Sequence, residues 1–144
     1  GIDTEASFTP DGKALLFSSD RGGSPQIYRL TIATGAVERM TFEGGHNVSP
    51  RATPDGKGFV FVRRDGGRFM IAIQDYATRQ VQLLTPGPLD ESPSIAPNSK
   101  LIIYAAQQGQ RGILAGVSSD GRVKQRLVSP AADVREPAWG PLPR

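Results

Sequence analysis

The sequence predicts an all-β fold in which one four-stranded unit occurs three times and is followed by one extra strand. The first observation is a repeated segment, because residues 7–13 read SFTPDGK, residues 51–57 RATPDGK and residues 94–100 SIAPNSK. The second is its spacing: prolines follow one another at intervals of 44, 43 and 44 residues, at Pro10, Pro54, Pro97 and Pro141. The third is composition, since 17 glycines and 12 prolines in 144 residues are typical of short strands joined by tight turns.

The period indicates which repeat architecture the chain forms. Repeats of roughly 40 to 45 residues with four strands each are typical of β-propeller blades. Helical repeats of that length would need long segments of 3.6-residue periodicity, which this sequence lacks. The strands of the first unit are predicted at Ala6 to Phe8, Ala14 to Ser18, Gln26 to Ile32 and Val37 to Phe42. We predict blades at residues 5–47, 48–90 and 91–134 and an extra first strand at 135–144, in which Trp139 packs into the core.

The second strand of each unit is continuously apolar, at residues 15–17, 59–62 and 101–104. A half-exposed strand alternates between polar and apolar side chains, so an unbroken run indicates burial on both faces. Blades packed face to face provide that environment. The fourth strands, such as residues 81–84, mix polar and apolar side chains, which indicates an outer and partly solvated position.

The turns explain several acidic residues without a functional role. Proline presets φ at the second position of a turn, and glycine accepts the positive φ that closes it. We therefore interpret Asp11-Gly12 and Asp55-Gly56 as structural turn residues and not as metal ligands. Ser119-Asp120-Gly121-Arg122 is expected to form the corresponding turn between the third and fourth strands of the third unit.

Composition and motifs argue against several other functions. The chain contains no cysteine, which removes disulfides, thiolate nucleophiles and zinc-thiolate sites. It has no nucleophile elbow, zinc-protease motif, phosphate loop or dinucleotide fingerprint, so we expect neither an enzyme nor a cofactor or metal site. Its longest apolar run, residues 101–106, is too short to span a bilayer, and any targeting segment is expected upstream. A charge of +3 suggests nucleic-acid binding as an alternative, but the basic residues are scattered and only Arg63 and Arg64 are adjacent.

Geometry predicts where a partner would bind. In an up-and-down blade, the loops between blades and the loops joining the second and third strands emerge on one edge of the propeller, here called the interblade edge. The other two turns emerge on the opposite edge, the turn edge. Loops on a rigid scaffold commonly carry binding residues. The residues predicted to bind a partner all belong to the interblade edge: Thr4, Glu5, His46, Asn47, Ser49, Arg51, Asp90, Glu91, Ser92, Arg135 and Glu136. The alternative is that these side chains only solvate the edge or pair with one another, and for His46 an exposed imidazole without a partner is the favoured interpretation.

The order of these segments resembles the TolB family. The similar segments cover essentially the whole chain: residues 4–13, 18–21, 25–28, 89–98, 118–122 and 137–139. The sequence departs from the family pattern at Ala6, where proline is common, and at Arg79 and Ser99, where a turn glycine is expected. These departures are expected to weaken single turns without changing the period.

The resemblance implies a six-bladed propeller in the Gram-negative periplasm. It implies a non-enzymatic role in the Tol-Pal system, which supports outer-membrane integrity and cell division. The family's propeller binds the peptidoglycan-associated lipoprotein Pal and is exploited by colicins, while a separate N-terminal domain contacts TolA. Thr4 and Glu5 match the family segment associated with Pal contact.

Two further alternatives stay open at this point. Similar repeats form the gating propellers of prolyl-oligopeptidase-like peptidases, whose catalytic domain would lie outside this chain. Three blades do not close a propeller, which has about four to eight. The chain is therefore expected either to fold as an open three-blade wedge or to pair with a second copy into a six-blade ring.

Overall fold

The computed structural model describes residues 2–87, 90–108 and 111–128, and the regular structure within them consists of β-strands. The strands are β1 (Ile2–Phe8), β2 (Ala14–Ser19), β3 (Gln26–Thr31), β4 (Val37–Arg39), β5 (Asn47–Ala52), β6 (Gly58–Asp65), β7 (Arg68–Asp75), β8 (Val81–Leu83), β9 (Glu91–Ile95), β10 (Leu101–Gln108), β11 (Arg111–Ser118) and β12 (Lys124–Val128).

Consecutive strands pair antiparallel into three four-stranded sheets, β1 to β4, β5 to β8 and β9 to β12. These are called blades 1, 2 and 3. The first strands lie next to each other, because β1 contacts β5 and β5 contacts β9. The all-β fold of repeated four-stranded units is thus confirmed. The blade boundaries remain a prediction, and the extra strand predicted at 135–144 lies outside the described residues.

The core lies between the blades. One cluster joins Leu16 and Ile27 of blade 1 to Phe59 and Phe61 of blade 2. A second cluster joins alternate residues of β6, among them Val60, to blade 3. Neighbouring side chains of β6 therefore face different blades, which explains its unbroken apolar run. Burial of each such side chain stabilises the fold by about 1.5–3 kcal/mol.

The fourth strands of blades 1 and 2 are largely exposed. Val37 and Glu38 of β4 are exposed, as are Gln82 and Leu83 of β8. The first four residues of β5, in contrast, are buried. This confirms the outer position predicted for the fourth strands.

The turns at Asp11 and Asp55 are held by the same hydrogen bonds. Thr9 Oγ1 donates to Asp11 Oδ1 at 2.7 Å, and Lys13 N donates to the same oxygen at 2.9 Å. Thr53 and Lys57 repeat both bonds to Asp55. Gly12 has a φ of 71°, which favours glycine. The structural role predicted for these aspartates is confirmed.

The two residues that replace turn glycines connect neighbouring blades. Ser99 and Arg79 have φ values of 63° and 62°, which are unfavourable for residues with a Cβ. Ser99 Oγ accepts a hydrogen bond of 3.0 Å from Asp55 N in blade 2. Arg79 Nη2 forms an ion pair of 2.6 Å with Glu38 Oε2 in blade 1. Each of these turns therefore gains a contact with the preceding blade that a glycine could not make.

Candidate functional site

The interblade edge lies where β5 and β9 begin. His46 and Asn47 lie at the start of β5, with Ser49 and Arg51 further along it, and Asp90, Glu91 and Ser92 lie at the start of β9. Thr4 and Glu5 belong to β1, whereas Arg135 and Glu136 lie outside the described residues. The predicted residues at β5 and β9 therefore form two groups, one on each strand, and Thr4 and Glu5 on β1 belong to neither.

Asn47 is fully buried and holds the loop at residues 42–46 from within. Its Nδ2 donates to Gln26 Oε1 at 2.8 Å and to the Glu43 carbonyl at 2.9 Å. Its Oδ1 accepts a bond of 3.0 Å from Arg63 Nε. Gln26 and Arg63 were not among the predicted site residues. The amide of Asn47 is therefore occupied inside the protein, and its role is to position the loop.

Arg63 lies beside Gly44 on this loop. Its Nη2 also donates to the Glu43 carbonyl, at 3.3 Å. A Cβ at position 44 would lie 2.9 Å from Arg63 Nε, and Gly44 has a φ of 81°. Both the space and the backbone conformation favour glycine here. Arg63 belongs to the one adjacent basic pair of the sequence, which is the signal that could have identified it.

Asp90 takes the place of Asn47 at the junction of blades 2 and 3. It is buried, and its Oδ2 accepts a bond of 2.9 Å from Gly87 N. Burial raises the pKa of this carboxyl, although hydrogen bonds from Thr85 and Gly87 and the charge of Arg68 act in the opposite direction. The position that pairs with Asn47 in blade 2 is Arg63, but its counterpart in blade 3 is Ala106. The buried carboxylate thus lacks the arginine found at the other junction.

β5 and β9 carry the same backbone irregularity two residues after Asn47 and Asp90, respectively. Ser49 and Ser92 have φ values of 56° and 55°. The strand register shifts between Val48 and Arg51 in β5 and at the corresponding place in β9. Such backbone conformations cost about 1–3 kcal/mol and occur often at functional sites, where bulges re-aim side chains. Arg51 donates Nη1 to the Pro50 carbonyl at 2.9 Å, so its guanidinium turns back onto its own strand.

His46 lines a shallow cavity of about 360 Å³ on the interblade edge, together with Arg64 and Phe69. The backbone connects the two sides of this cavity, because Arg64 N donates to the His46 carbonyl at 2.8 Å. The Arg64 guanidinium lies 4.6 Å from the centre of the Phe69 ring. Phe69 was not among the predicted residues, because nothing in the sequence distinguishes it from other apolar residues.

Arginines lie over aromatic rings elsewhere near this edge. Arg21 Cζ is 5.2 Å from the Phe17 ring and 5.1 Å from the Tyr28 ring. Arg39 Cζ is 4.9 Å from Phe42, which is 68% exposed. Arginine and aromatic side chains are the types that contribute most to protein–protein interfaces. The edge therefore combines apolar area with positive charge.

Metal-ligating clusters and membrane-spanning helices are both absent from the described residues. Within residues 2–87, 90–108 and 111–128, no three His, Cys, Asp or Glu side chains lie close enough to hold a metal ion. In the same part of the chain, no helix is long and apolar enough to cross a membrane.

Comparison with known proteins gives a consistent family. The family described as TolB beta propeller domain matches residues 1–143. The Tol-Pal system protein TolB of Nitrosospira multiformis is 60% identical over 120 residues, covering 81% of this chain and 28% of that protein. The corresponding protein of Xanthomonas oryzae pv. oryzae is 48% identical over 114 residues, covering 78% of this chain and 26% of that protein.

A solved structure agrees with these matches. The crystal structure of TolB from Acinetobacter baumannii has a TM-score of 0.88 and 51% identity to this chain, and covers 96% of it. The match spans 35% of that protein. The β-propeller fold and the resemblance to the TolB family are both confirmed, and this chain spans only part of the length of its relatives.

Proposed function

Because this chain belongs to the TolB beta propeller family, we propose that it acts as a non-enzymatic partner-binding segment of a Tol-Pal system protein and that its interblade edge binds the lipoprotein Pal. The observation that carries the proposal is the arrangement around Asn47. This buried side chain fixes the loop at residues 42–46, while His46 and Arg64 line a cavity at the surface.

Preorganisation of the edge supports this role. Binding is weakened when loops and side chains must be ordered. The loop at residues 42–46 is already held by hydrogen bonds from Asn47 Nδ2 and Arg63 Nη2 to the Glu43 carbonyl and from Gln26 Nε2 to the Gly44 carbonyl, so it loses little entropy on binding. The exposed Arg64 beside Phe69 provides a cation and an apolar ring in one place. This combination suits a polar segment with acidic residues.

The cellular setting of the proposal follows from the family. A Tol-Pal protein of this kind would act in the periplasm, supporting outer-membrane integrity and cell division, and colicins would use the same edge. The similarity to proteins named TolB, at 48–60% identity, favours this function over a gating propeller of a peptidase.

The experiment that tests the proposal measures binding of purified Pal by calorimetry. The variants are His46→Ala combined with Arg64→Ala at the first group, and Glu91→Ala at the second. We expect the double variant to bind at least about tenfold more weakly, since the loss of a hydrogen bond to a charged group costs about 1.5–3 kcal/mol. Glu91→Ala should weaken binding in the same direction.

The matched control is Arg122→Ala, which removes an exposed arginine from the turn edge. This variant should bind Pal as the unaltered chain does. Equal affinity of all four proteins for Pal would contradict the proposed location of the site, and no binding by any of them would contradict the proposed partner.

A further inference from the structure

A cavity of about 310 Å³ opens on the turn edge at the junction of blades 2 and 3. It lies at the opposite edge from the site described above. The side chains that matter for its chemistry are Asp55, Lys57, Ile73, Asp75 and Ser119. Its volume falls at the lower end of the range for ligand pockets, which is about 300–1,000 Å³.

Hydrogen bonds close the junction on both sides of this cavity. Ser99 Oγ accepts a bond of 3.0 Å from Asp55 N. Gln82 Nε2 of blade 2 donates to the Asp120 carbonyl of blade 3, also at 3.0 Å. The two blades are thus docked around the cavity, and the space comes from the side chains that line it.

The repeat shows which side chains are different at this junction. Tyr76 N donates to the Lys57 carbonyl at 2.9 Å. In the next blade, Ser119 N donates to the Lys100 carbonyl at 3.0 Å, so Ser119 is the counterpart of Tyr76. Ile73 pairs with Val60 as Arg29 pairs with Leu16, which makes Ile73 the counterpart of Arg29.

The corresponding space between blades 1 and 2 is filled by an arginine on an aromatic ring. Arg29 Cζ lies 4.7 Å from the centre of the Tyr76 ring, and that ring lies 5.9 Å from Phe59. At the junction of blades 2 and 3 the two positions hold the smaller Ile73 and Ser119. The cavity therefore occupies the place where the other junction holds a guanidinium group.

The charges around the cavity also favour a cation. Asp55 and Asp75 line it, against one cationic residue, Lys57. Partial burial opposes ionisation of Asp55, but hydrogen bonds from Thr53 and Lys57 outweigh it and lower the pKa of this carboxyl. In blade 1 the counterparts Asp11 and Lys13 occur beside Arg29, so a lysine at this place does not exclude a guanidinium.

From these observations we infer that the cavity recognises an arginine side chain of a partner polypeptide. Ile73 contacts the aliphatic part of that side chain, as apolar surface commonly does. The planar guanidinium carries five N–H donors, which serve the carboxylates of Asp55 and Asp75. The site gives this propeller a second binding surface that is independent of the interblade edge.

The test uses blocked amino acids as probes, followed by NMR titration of the ¹⁵N-labelled chain. N-acetyl-arginine amide should shift the amide resonances of Lys57, Ile73 and Ser119. N-acetyl-citrulline amide has the same shape without the charge and should bind at least about tenfold more weakly. N-acetyl-lysine amide should bind more weakly than N-acetyl-arginine amide, because an ammonium group cannot donate to both carboxylates in one plane.

Variants locate the effect. Asp55→Asn should weaken arginine binding about tenfold or more, and the fold tolerates asparagine in this turn, because Asn98 accepts the corresponding bond from Lys100 N at 2.9 Å. Asp11→Asn is the matched control and should leave binding unchanged. Ile73→Arg combined with Ser119→Tyr copies the filled junction and should abolish binding while the dispersion of the spectrum is retained.

Three results would overturn the inference. They are equal binding of arginine by the Asp55→Asn and Asp11→Asn variants, equal binding of citrulline and arginine by the unaltered chain, and shifts confined to residues of the interblade edge. If the variant that combines Ile73→Arg with Ser119→Tyr fails to fold, the comparison of Asp55→Asn with Asp11→Asn still tests whether arginine binds in the cavity.

Discussion

Asn47 and Asp90 occupy equivalent positions 43 residues apart, yet their surroundings differ. Asn47 makes three hydrogen bonds with neighbours that include Arg63. Asp90 is buried next to Tyr104, whose pKa burial raises to about 12, with a further contribution from the charge of Asp90. One repeat position therefore carries a satisfied amide at one junction and a destabilised carboxylate at the next.

This difference predicts the pH dependence of an Asp90→Asn variant. Folding raises the pKa of Asp90, so the folded state favours the protonated carboxyl. The stability that Asp90 contributes is therefore fully present below the ordinary carboxyl pKa and is lost as the pH rises through the raised pKa. The variant should therefore be more stable than the unaltered chain at neutral pH, and the gain should shrink as the pH falls. Denaturant unfolding between pH 4 and 8 measures it.

Asp120→Asn provides the control for this prediction. The pKa of Asp120 is lowered by hydrogen bonds from Ser118 and Arg122, so its titration has the opposite sign. No gain at neutral pH is expected for this variant. A gain for Asp90→Asn that does not change with pH would contradict the assignment to the carboxylate.

Sequence reasoning located the edge residues but not their orientation. Polar residues at the start of the first strands predicted that Asn47 and Asp90 belong to the interblade edge, and both lie there. Their burial could not be predicted, because it depends on Gln26 and Arg63, which lie on other strands, and on Thr85, which follows β8. A repeat aligns positions along the chain but does not show which partners face them across a junction.

At the scale of elements, β6 is the strand most constrained by its neighbours. Its residues 58–62 are all buried, and its two faces belong to two separate core clusters. Gly58 begins the strand, and a Cβ there would lie 2.0 Å from the Gln74 carbonyl oxygen. The close approach of β6 and β7 therefore requires glycine at this position.

Gly58→Ala should destabilise the chain by about 1–3 kcal/mol or more, because the backbone must shift to admit the methyl group. Thermal or denaturant unfolding measures the loss. Gly45→Ala is the matched control, since its Cβ would have no atom within 4 Å and its φ is not positive. Equal stability of the two variants would contradict the packing of β6 on β7.

The strands were the part of the fold best predicted from the sequence. Unbroken apolar runs identified β2, β6 and β10, and the Pro-Asp-Gly and Pro-Asn-Ser turns identified where they begin. The effect of Ser99 and Arg79 was predicted less well, since a weaker turn was expected for each. Their contacts with Asp55 and Glu38 in the preceding blade depend on how the sheets stack, which no local pattern encodes.

At the scale of the whole molecule, the face of blade 1 that points away from blade 2 carries an apolar row. Phe8, Leu15, Leu30 and Val37 lie opposite one another across its four strands. Phe8 is 65% and Val37 43% exposed. Exposed apolar rows of this kind mark surfaces that pack against another protein surface.

We therefore predict that the 144-residue chain self-associates at tens of micromolar, as the pairing into a closed ring requires. Light scattering should give the mass of a dimer, and Phe8→Ser combined with Val37→Ser should return it to a monomer. Lys13→Ser, an exposed change at the turn edge, is the control and should leave the mass unchanged. A strictly monomeric unaltered chain would contradict the prediction.

The stacking of blades was predictable, but the difference between the two junctions was not. Continuous apolar strands indicated packing on both faces. The exchange of Arg29 and Tyr76 for Ile73 and Ser119 appears in the sequence as ordinary variation between repeats. This exchange leaves a filled space at one junction and a cavity at the other because the two positions face each other across neighbouring blades.

Hydrogen exchange of the chain with and without Pal tests whether Pal binds at the interblade edge, because it compares both edges in one experiment. We predict slower exchange at the interblade edge, in residues 42–46, 64–67 and 90–93, and unchanged exchange in the turns at Asp11, Asp55 and Asp120. Protection of those turns with no change at the interblade edge would contradict the binding of Pal at the interblade edge.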